Sequence, residues 1–292
     1  MTALMVAGMT VLFSLQSLFA KLFSQKHGSK NAAVTSTVFS IVYGVFAGFV
    51  TLALGGFRFA PSRETLTLGL LNAVMLLLYN TSLIEASRRG SYSFQMICLL
   101  FGGIVPPMLH EVLFLGGTLT AVQGVAIGLM LASFVLMNLK GLTLKGSDGR
   151  FLFWCAMLFL TNGLYGILMN LQQRRMNGAE RNEMIILTYL GMAVLYAVWA
   201  LLRNRSELTE GFRMGREPLA WLLLCCASAT SAAHLMMVLL GRMEASLLYT
   251  IDNGGVLVLS LLYSFVLFRE KVNAAQIAGI ALASVSIVML SL

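Results

Sequence analysis

Apolar runs of about twenty residues follow one another along the whole chain, separated by short polar punctuations. A helix needs about twenty apolar residues to cross the hydrocarbon core of a bilayer, roughly 30 Å thick at 1.5 Å of rise per residue. The pattern therefore predicts ten membrane-spanning helices, over residues 2–23, 32–54, 65–86, 91–115, 118–139, 151–172, 183–202, 218–240, 244–268 and 273–292. Between them lie "SQKHGSK", "FRFAPSRET", "EASRRGS", "KGLTLKGSDGR" and "QQRRMNGAERNE", none long enough for a soluble domain. The opening "MTALMVAGMT" lacks the basic region of a signal peptide and reads as the start of the first span.

Composition sharpens this picture. The 292 residues are 58% apolar and 11% charged, and the mean hydropathy is +0.84. A soluble chain carries roughly 25% charged residues, so this one has too few to cover a water-facing surface. The expected fold class is an all-α integral membrane protein, multi-pass in the cell (plasma or inner) membrane and in contact with the lipid bilayer. The net charge of +8 is distributed unevenly. Numbering loops by the spans they join, Lys21, Lys26, Lys30, Arg88, Arg89, Lys140, Lys145, Arg150, Arg203, Arg205, Arg213, Arg216, Arg269 and Lys271 fall on the odd side. Arg58, Arg63, Arg174, Arg175, Arg181 and Arg242 fall on the other, 14 against 6. The positive-inside rule puts the richer side in the cytoplasm and both termini outside. The basic residues form no continuous patch, so nucleic acid is not an expected partner. Cys98, Cys155, Cys225 and Cys226 lie inside spans without metal-ligand spacing. They read as small packing residues, with no disulfide and no metal.

The chain also repeats itself. Displacing residues 79–139 by 153 positions lays "GTLTAVQGVAIGLMLASFVLMNL" (117–139) on "EKVNAAQIAGIALASVSIVMLSL" (270–292). Gln123 then falls on Gln276, Gly102 on Gly255 and Arg89 on Arg242. A displacement of about 149 sets "LFSLQSLFAK" of the first span near "FLTNGLYGILMN" of the sixth. The expected organisation is two five-helix repeats, residues 1–143 and 144–292. An odd number of spans per repeat inserts the second copy the other way up. Inverted repeats of this kind are a transporter architecture, with the substrate site near the midplane between the halves.

Ten spans in a five-plus-five duplication, with a loop and then a glutamine opening the last helix of each half, resemble the drug/metabolite transporter (DMT) superfamily. More narrowly, the chain is similar to proteins with two EamA-like domains. "REKVNAAQIAGIALAS" (269–284) carries the likeness best, with an acid at Glu270, a short turn, Gln276 and Gly279. "SLQSLFAKLF" is similar to that domain's opening helix, in which a lysine follows a patch of small residues. The first copy departs from the pattern: Gly117 stands in the place of Glu270, Glu111 lies six residues earlier, and the usual Trp-Gly of the opening helices is missing. The resemblance spans essentially the whole chain. It implies a cavity lined by spans 1, 3, 4, 6, 8 and 9. It also implies a substrate among amino acids, amines, sugars and nucleotide conjugates.

Polar residues inside the spans are the candidates for that cavity, because a polar group facing lipid is costly and one facing water is not. Gln16 lies in span 1, and Asn72, Tyr79 and Asn80 share a face of span 3 at offsets of seven and eight. Gln95 follows Tyr92 by three in span 4, and Tyr165 follows Asn162 by three in span 6. His234 lies beside Thr230 and Ser231 in span 8, and Tyr249, Asp252 and Asn253 share span 9. Hydrogen bonding between helices is the competing account of the amides and tyrosines.

Asp252 is the sharpest of these. Within "YTIDNGG" (249–255) it sits about eight residues into an otherwise apolar span. An ionised carboxylate at a helix centre in hydrocarbon costs at least ~2.5 kcal/mol. It persists where it meets a cation, a proton or a hydrogen-bond network. Lys21 or His234 could also pair with it. Gly254 and Gly255 are expected to act as a hinge, letting the helix bend or unwind beside the acid. Glu85, next to Arg88 and Arg89, and Glu111, next to His110, read as headgroup-level ion pairs.

The expected function is secondary active transport of a small polar metabolite, an amino acid or an amine or quaternary ammonium compound, by alternating access. The chain has no P-loop and no nucleotide-binding domain, so a proton gradient or exchange would drive it, with coupled protons and the small-molecule substrate as partners. It would work as a monomer or homodimer, without cofactors and not as an enzyme. A membrane channel or facilitative pore is the alternative, and a membrane-embedded enzyme a further one. A channel should show rings of like polar groups. An enzyme should show clustered His, Cys, Ser or carboxylates, and this chain offers one strong intramembrane acid with one distant histidine.

Overall fold

Inside hydrocarbon, a backbone segment satisfies its own polar groups only as a helix or a closed barrel. The long apolar runs here, interrupted only by short polar turns, take the first solution. In the computed structural model the described residues form ten α-helices and no strand. These are α1 (Thr2–Lys26), α2 (Ala32–Leu54), α3 (Arg63–Arg89), α4 (Tyr92–Phe114), α5 (Ala121–Asn138), α6 (Gly149–Arg175), α7 (Arg181–Arg203), α8 (Arg216–Leu240), α9 (Ala245–Leu267) and α10 (Ala274–Ser291). The structure describes every residue except 1, 28–31, 90–91, 139–148, 204–208, 210, 268–273 and 292. Within helices it leaves out the side chains of 21, 24–25, 32–33, 84, 87–88, 92–97, 137–138, 203, 260–261, 264–265, 267, 276 and 290–291.

Six helices, α1, α2, α3, α6, α7 and α8, are long and apolar enough to cross a membrane. The described parts of α4, α5, α9 and α10 hold shorter apolar segments. The outward surface is apolar as well, with Leu54, Phe114 and Leu202 all more than 70% exposed. An apolar exterior of this extent suits lipid and not water.

The helices assemble around two main cores and a small one at Ala86, Phe151 and Cys155. Met9 and Phe23 of α1, Tyr43 of α2, Leu76 of α3, Met169 of α6, Met192 of α7 and Leu222 of α8 form the larger one, joined by Leu248 from the start of α9. Leu100 and Ile104 of α4, Met130 and Phe134 of α5, and Ala283 of α10 form the other. Across the sequence halves α1 packs along α8, α3 along α6, α2 along α7, and α5 along α10, while α4 meets α6 and α9 meets α1.

The turn between α6 and α7 is pinned from both sides. Asn177, Gly178 and Glu180 all adopt positive φ, reversing the chain within a few residues. Gln172 Nε2 donates to the carbonyls of Ala179 and Glu180 at 3.0 and 3.2 Å. Ser62, which also caps α3 by accepting from Thr65 N–H at 3.2 Å, donates from both its N–H and its hydroxyl to Glu180 Oε2 at 2.9 Å. Desolvation, the largest single influence, pushes the Glu180 carboxyl up, but hydrogen bonds from Thr65 and Ser62 together outweigh it and hold the group below its ordinary value. A depressed carboxyl stabilises the fold above its unfolded value, and that contribution fades as pH falls through the folded value. Glu180→Gln should therefore melt below the parent at neutral pH, with the gap closing as pH drops under about 4.5. A gap that stays constant from pH 7 to pH 3 would show that the carboxylate charge plays no part.

Candidate functional site

Two glycine crossings set the geometry of the bundle centre. At Gly102 of α4 a β-carbon would collide with the Phe159 backbone of α6. At Gly255 of α9 it would lie 2.5 Å from Thr10 Cγ2 of α1. The displacements of 153 and 149 residues found in the sequence relate the two crossings: 255 lies 153 beyond 102, and 159 lies 149 beyond 10. Bare backbone at these points draws α4 onto α6 and α9 onto α1, so that side chains on either side of each glycine meet.

Asp252, one turn before Gly255, receives a hydrogen bond from the Thr10 hydroxyl at 3.1 Å. Its neighbour Asn253 donates from Nδ2 to the Tyr249 carbonyl at 2.7 Å, and Asn162 of α6 donates from Nδ2 to the Leu99 carbonyl at 2.8 Å. The two carboxamides converge on Gly103, where a β-carbon would sit 3.0 Å from Asn253 Nδ2 and 3.1 Å from Asn162 Nδ2. A carboxamide has two N–H donors and an acceptor oxygen, so each keeps groups beyond these bonds to offer a ligand. Tyr249 closes one side of the cluster, its hydroxyl donating to the Gly166 carbonyl at 3.0 Å. A carboxylate whose one described hydrogen bond comes from a neutral hydroxyl is a setting for a positively charged or hydrogen-bond-donating group.

Several residues that the sequence grouped with this cluster lie elsewhere. Asn72 is fully buried and donates to Thr188 of α7 at 3.3 Å. Asn80 donates to Ser40 of α2 at 3.3 Å and contacts the Met192 sulfur at 3.3 Å. Both join helices, the competing account of intramembrane amides. Tyr165 shares a 3.0 Å hydrogen bond with Tyr189, whose ring lies 5.0 Å from that of Tyr43, and Tyr79 packs against the same core. His234 does not face Asp252. Its Nδ1 lies 2.8 Å from the Thr230 carbonyl one turn back, and the residue lines a lateral groove of about 430 Å³ between α2 and α8. Gln16 is half-buried on α1, its carbonyl accepting from the Cys225 thiol at 3.4 Å. The side chains of Gln95, Tyr92 and Lys21 lie outside the described residues.

The glycine pair also serves packing. Helix α9 runs unbroken through Gly254 and Gly255, and both glycines serve close approach, Gly254 to Met130 of α5 and Gly255 to Thr10 of α1. Glu85 pairs with Arg89 at 2.7 Å, as its position at the end of span 3 suggested. Glu111 does more than that expectation. It is 1% exposed, pairs with Arg174 of α6 and accepts from the Ser246 N–H of α9 at 2.9 Å. Thr10, Arg174 and Ser246 gave little signal in sequence, although Thr10 lies at the 149-residue counterpart of Phe159. Among the described residues no cluster of three His, Cys, Asp or Glu could hold a metal, and the four cysteines are unbridged.

No family model matches the chain, and no curated protein matches it. A solved crystal structure superposes on 99% of this chain and 95% of its own with a TM-score of 0.76, at 16% sequence identity. A likeness at that identity is one of fold alone: the backbone arrangement recurs, end to end, in another protein.

Proposed function

We propose that this chain is a secondary active transporter that carries a small polar metabolite, an amino acid or an amine or quaternary ammonium compound, across the cell membrane. The observation that carries the reading is Asp252, a carboxylate in the middle of an apolar bundle whose only described hydrogen bond comes from a neutral threonine. Such a charge is costly in hydrocarbon, and a cationic ligand would offset that cost. Thr10 reaches it from the first sequence half, and the amides of Asn253 and Asn162, both from the second, meet at Gly103 of α4.

The reading draws further support from the paired glycine crossings and the internal repetition of the sequence. They fit ten spans in two five-helix repeats, with the site where the repeats cross. An odd number of spans per repeat makes the copies inverted, and rocking of one against the other would expose Asp252 to each side in turn. Membership of the DMT superfamily, EamA-like, would account for the same organisation. Energy would come from a proton gradient or from exchange.

Counterflow tests the reading. Proteoliposomes preloaded with a saturating amine or amino acid should take up the labelled external compound to a transient excess, and uptake should saturate. Flux that rises linearly with concentration and shows no counterflow would point instead to a facilitative pore.

A further inference from the structure

We propose that Glu111 and Arg174 form a gate that closes the path to Asp252 at the end of the bundle where α1 and α9 begin. The inference rests on the transporter reading for its purpose, although its test needs no substrate. Three layers lie along α9. Ser246 is in the first turn, Tyr249 follows three residues on, and Asp252 three further, a span of roughly 9 Å along the axis.

The outermost layer is held by a single carboxylate. The Glu111 side chain is 2% exposed, and its Oε1 pairs with Arg174 Nη2. Its Oε2 accepts from Ser246 N–H at 2.9 Å. One side chain of α4 therefore ties α6 to α9. First-turn N–H groups of a helix have no partner within it and form its positive end, so the α9 terminus is a natural seat for an acid. The loop after α4 folds over this acid: Gly117 N–H donates to the Glu111 carbonyl at 3.0 Å. A β-carbon on Gly117 would lie 2.7 Å from Glu111 Cγ. Below it, Tyr249 bonds Gly166 across the same α6–α9 seam. The displacements of 153 and 149 put Ser264 in the place of Glu111 and Gln25 in the place of Arg174, so this acid–base pair is not repeated at the counterpart positions. Opening the Glu111 end must separate Arg174 from Glu111 and free the α9 terminus.

The test is thiol labelling of Asn253→Cys in sealed vesicles with a membrane-impermeant maleimide. The reagent is added on the side where protease removes an N-terminal tag, and the parent protein, with its four native thiols, sets the background. Labelling from that side should be slow. Adding Glu111→Gln, which keeps an acceptor for Ser246 N–H but loses the charge, should speed it about tenfold from that side and leave the rate from the other side unchanged. Exchanging the pair as Glu111→Arg with Arg174→Glu should not restore slow labelling, since arginine offers no acceptor to Ser246. An unchanged rate in a Glu111→Gln protein that still melts cooperatively would overturn the gate, as would fast labelling before any gate substitution. If the tenfold rise is seen but counterflow is absent, the transporter reading falls and the gate stands.

Discussion

A cationic ligand is expected to raise the thermal midpoint of the parent protein and to leave Asp252→Asn unmoved. A ligand present at a hundredfold excess over its Kd stabilises a folded state by about 2.7 kcal/mol. For a chain of this size that is a shift on the order of 5 °C. The variant should lose the whole shift, because the substituted amide would offer the ammonium group a dipole in place of a charge. Without ligand the order should reverse. Thr10 can donate to an amide oxygen as readily as to a carboxylate, and an amide is cheaper to keep in hydrocarbon than an ionised acid, by ~2.5 kcal/mol or more. The ligand-free variant should therefore melt at or above the parent. A panel of amines, amino acids, sugars and nucleotides would check both halves. Neutral or anionic hits that survive the substitution would detach Asp252 from the ligand.

Arg174→Met should be among the most damaging single changes in the protein. It strands Glu111, whose carboxylate is nearly inaccessible while the arginine is 39% exposed. Removing one member of a buried pair leaves an uncompensated charge, and the partial exposure here favours the lower end of the usual range, about 3 kcal/mol. Glu111→Gln should cost less, since the neutral amide still accepts from Ser246 and the abandoned arginine can reach water. Combining the two should recover most of the Arg174→Met loss, a coupling that a double-mutant cycle reads directly. If the two losses simply add in denaturant melts, the pair is not coupled and the ordering of α9 comes from elsewhere.

The helices were legible because hydrocarbon leaves a backbone so few options. Runs such as 32–54 state their own length, and α2 has those same bounds. Asp252 was legible for a related reason: an acid in such a run is costly wherever it points. Its partner was not. A lone threonine like Thr10 more often bonds back to its own helix, and only the crossing at Gly255 brings it to the acid. Asn72 and Asn80 show the opposite failure. Their spacing announces a polar face, but a helical period does not distinguish a wet cavity from a neighbouring helix, and they face α7 and α2. His234 instead bonds back to its own helix and lines the groove between α2 and α8. Glu111 lies near a helix end and so resembles a headgroup contact. Its burial depends on the Gly117 loop folding back over it and on the α9 terminus, which is far from it in the chain.

The interleaving of the two sequence halves bears on how the protein is made. The long seams α1–α8, α3–α6, α2–α7 and α5–α10 each join a helix from the first half to one from the second. A ribosome delivers the first five helices to the membrane well before their partners exist. Until then Asn72 lacks Thr188, Asn80 lacks Met192, and Glu111 lacks both Arg174 and Ser246. Asn80 keeps Ser40, but the nascent first half must otherwise wait in the bilayer with these polar groups unmatched, a natural client for an insertion chaperone. Truncated after residue 143, the chain should remain in that waiting condition, and a second half supplied as a separate polypeptide should complete it.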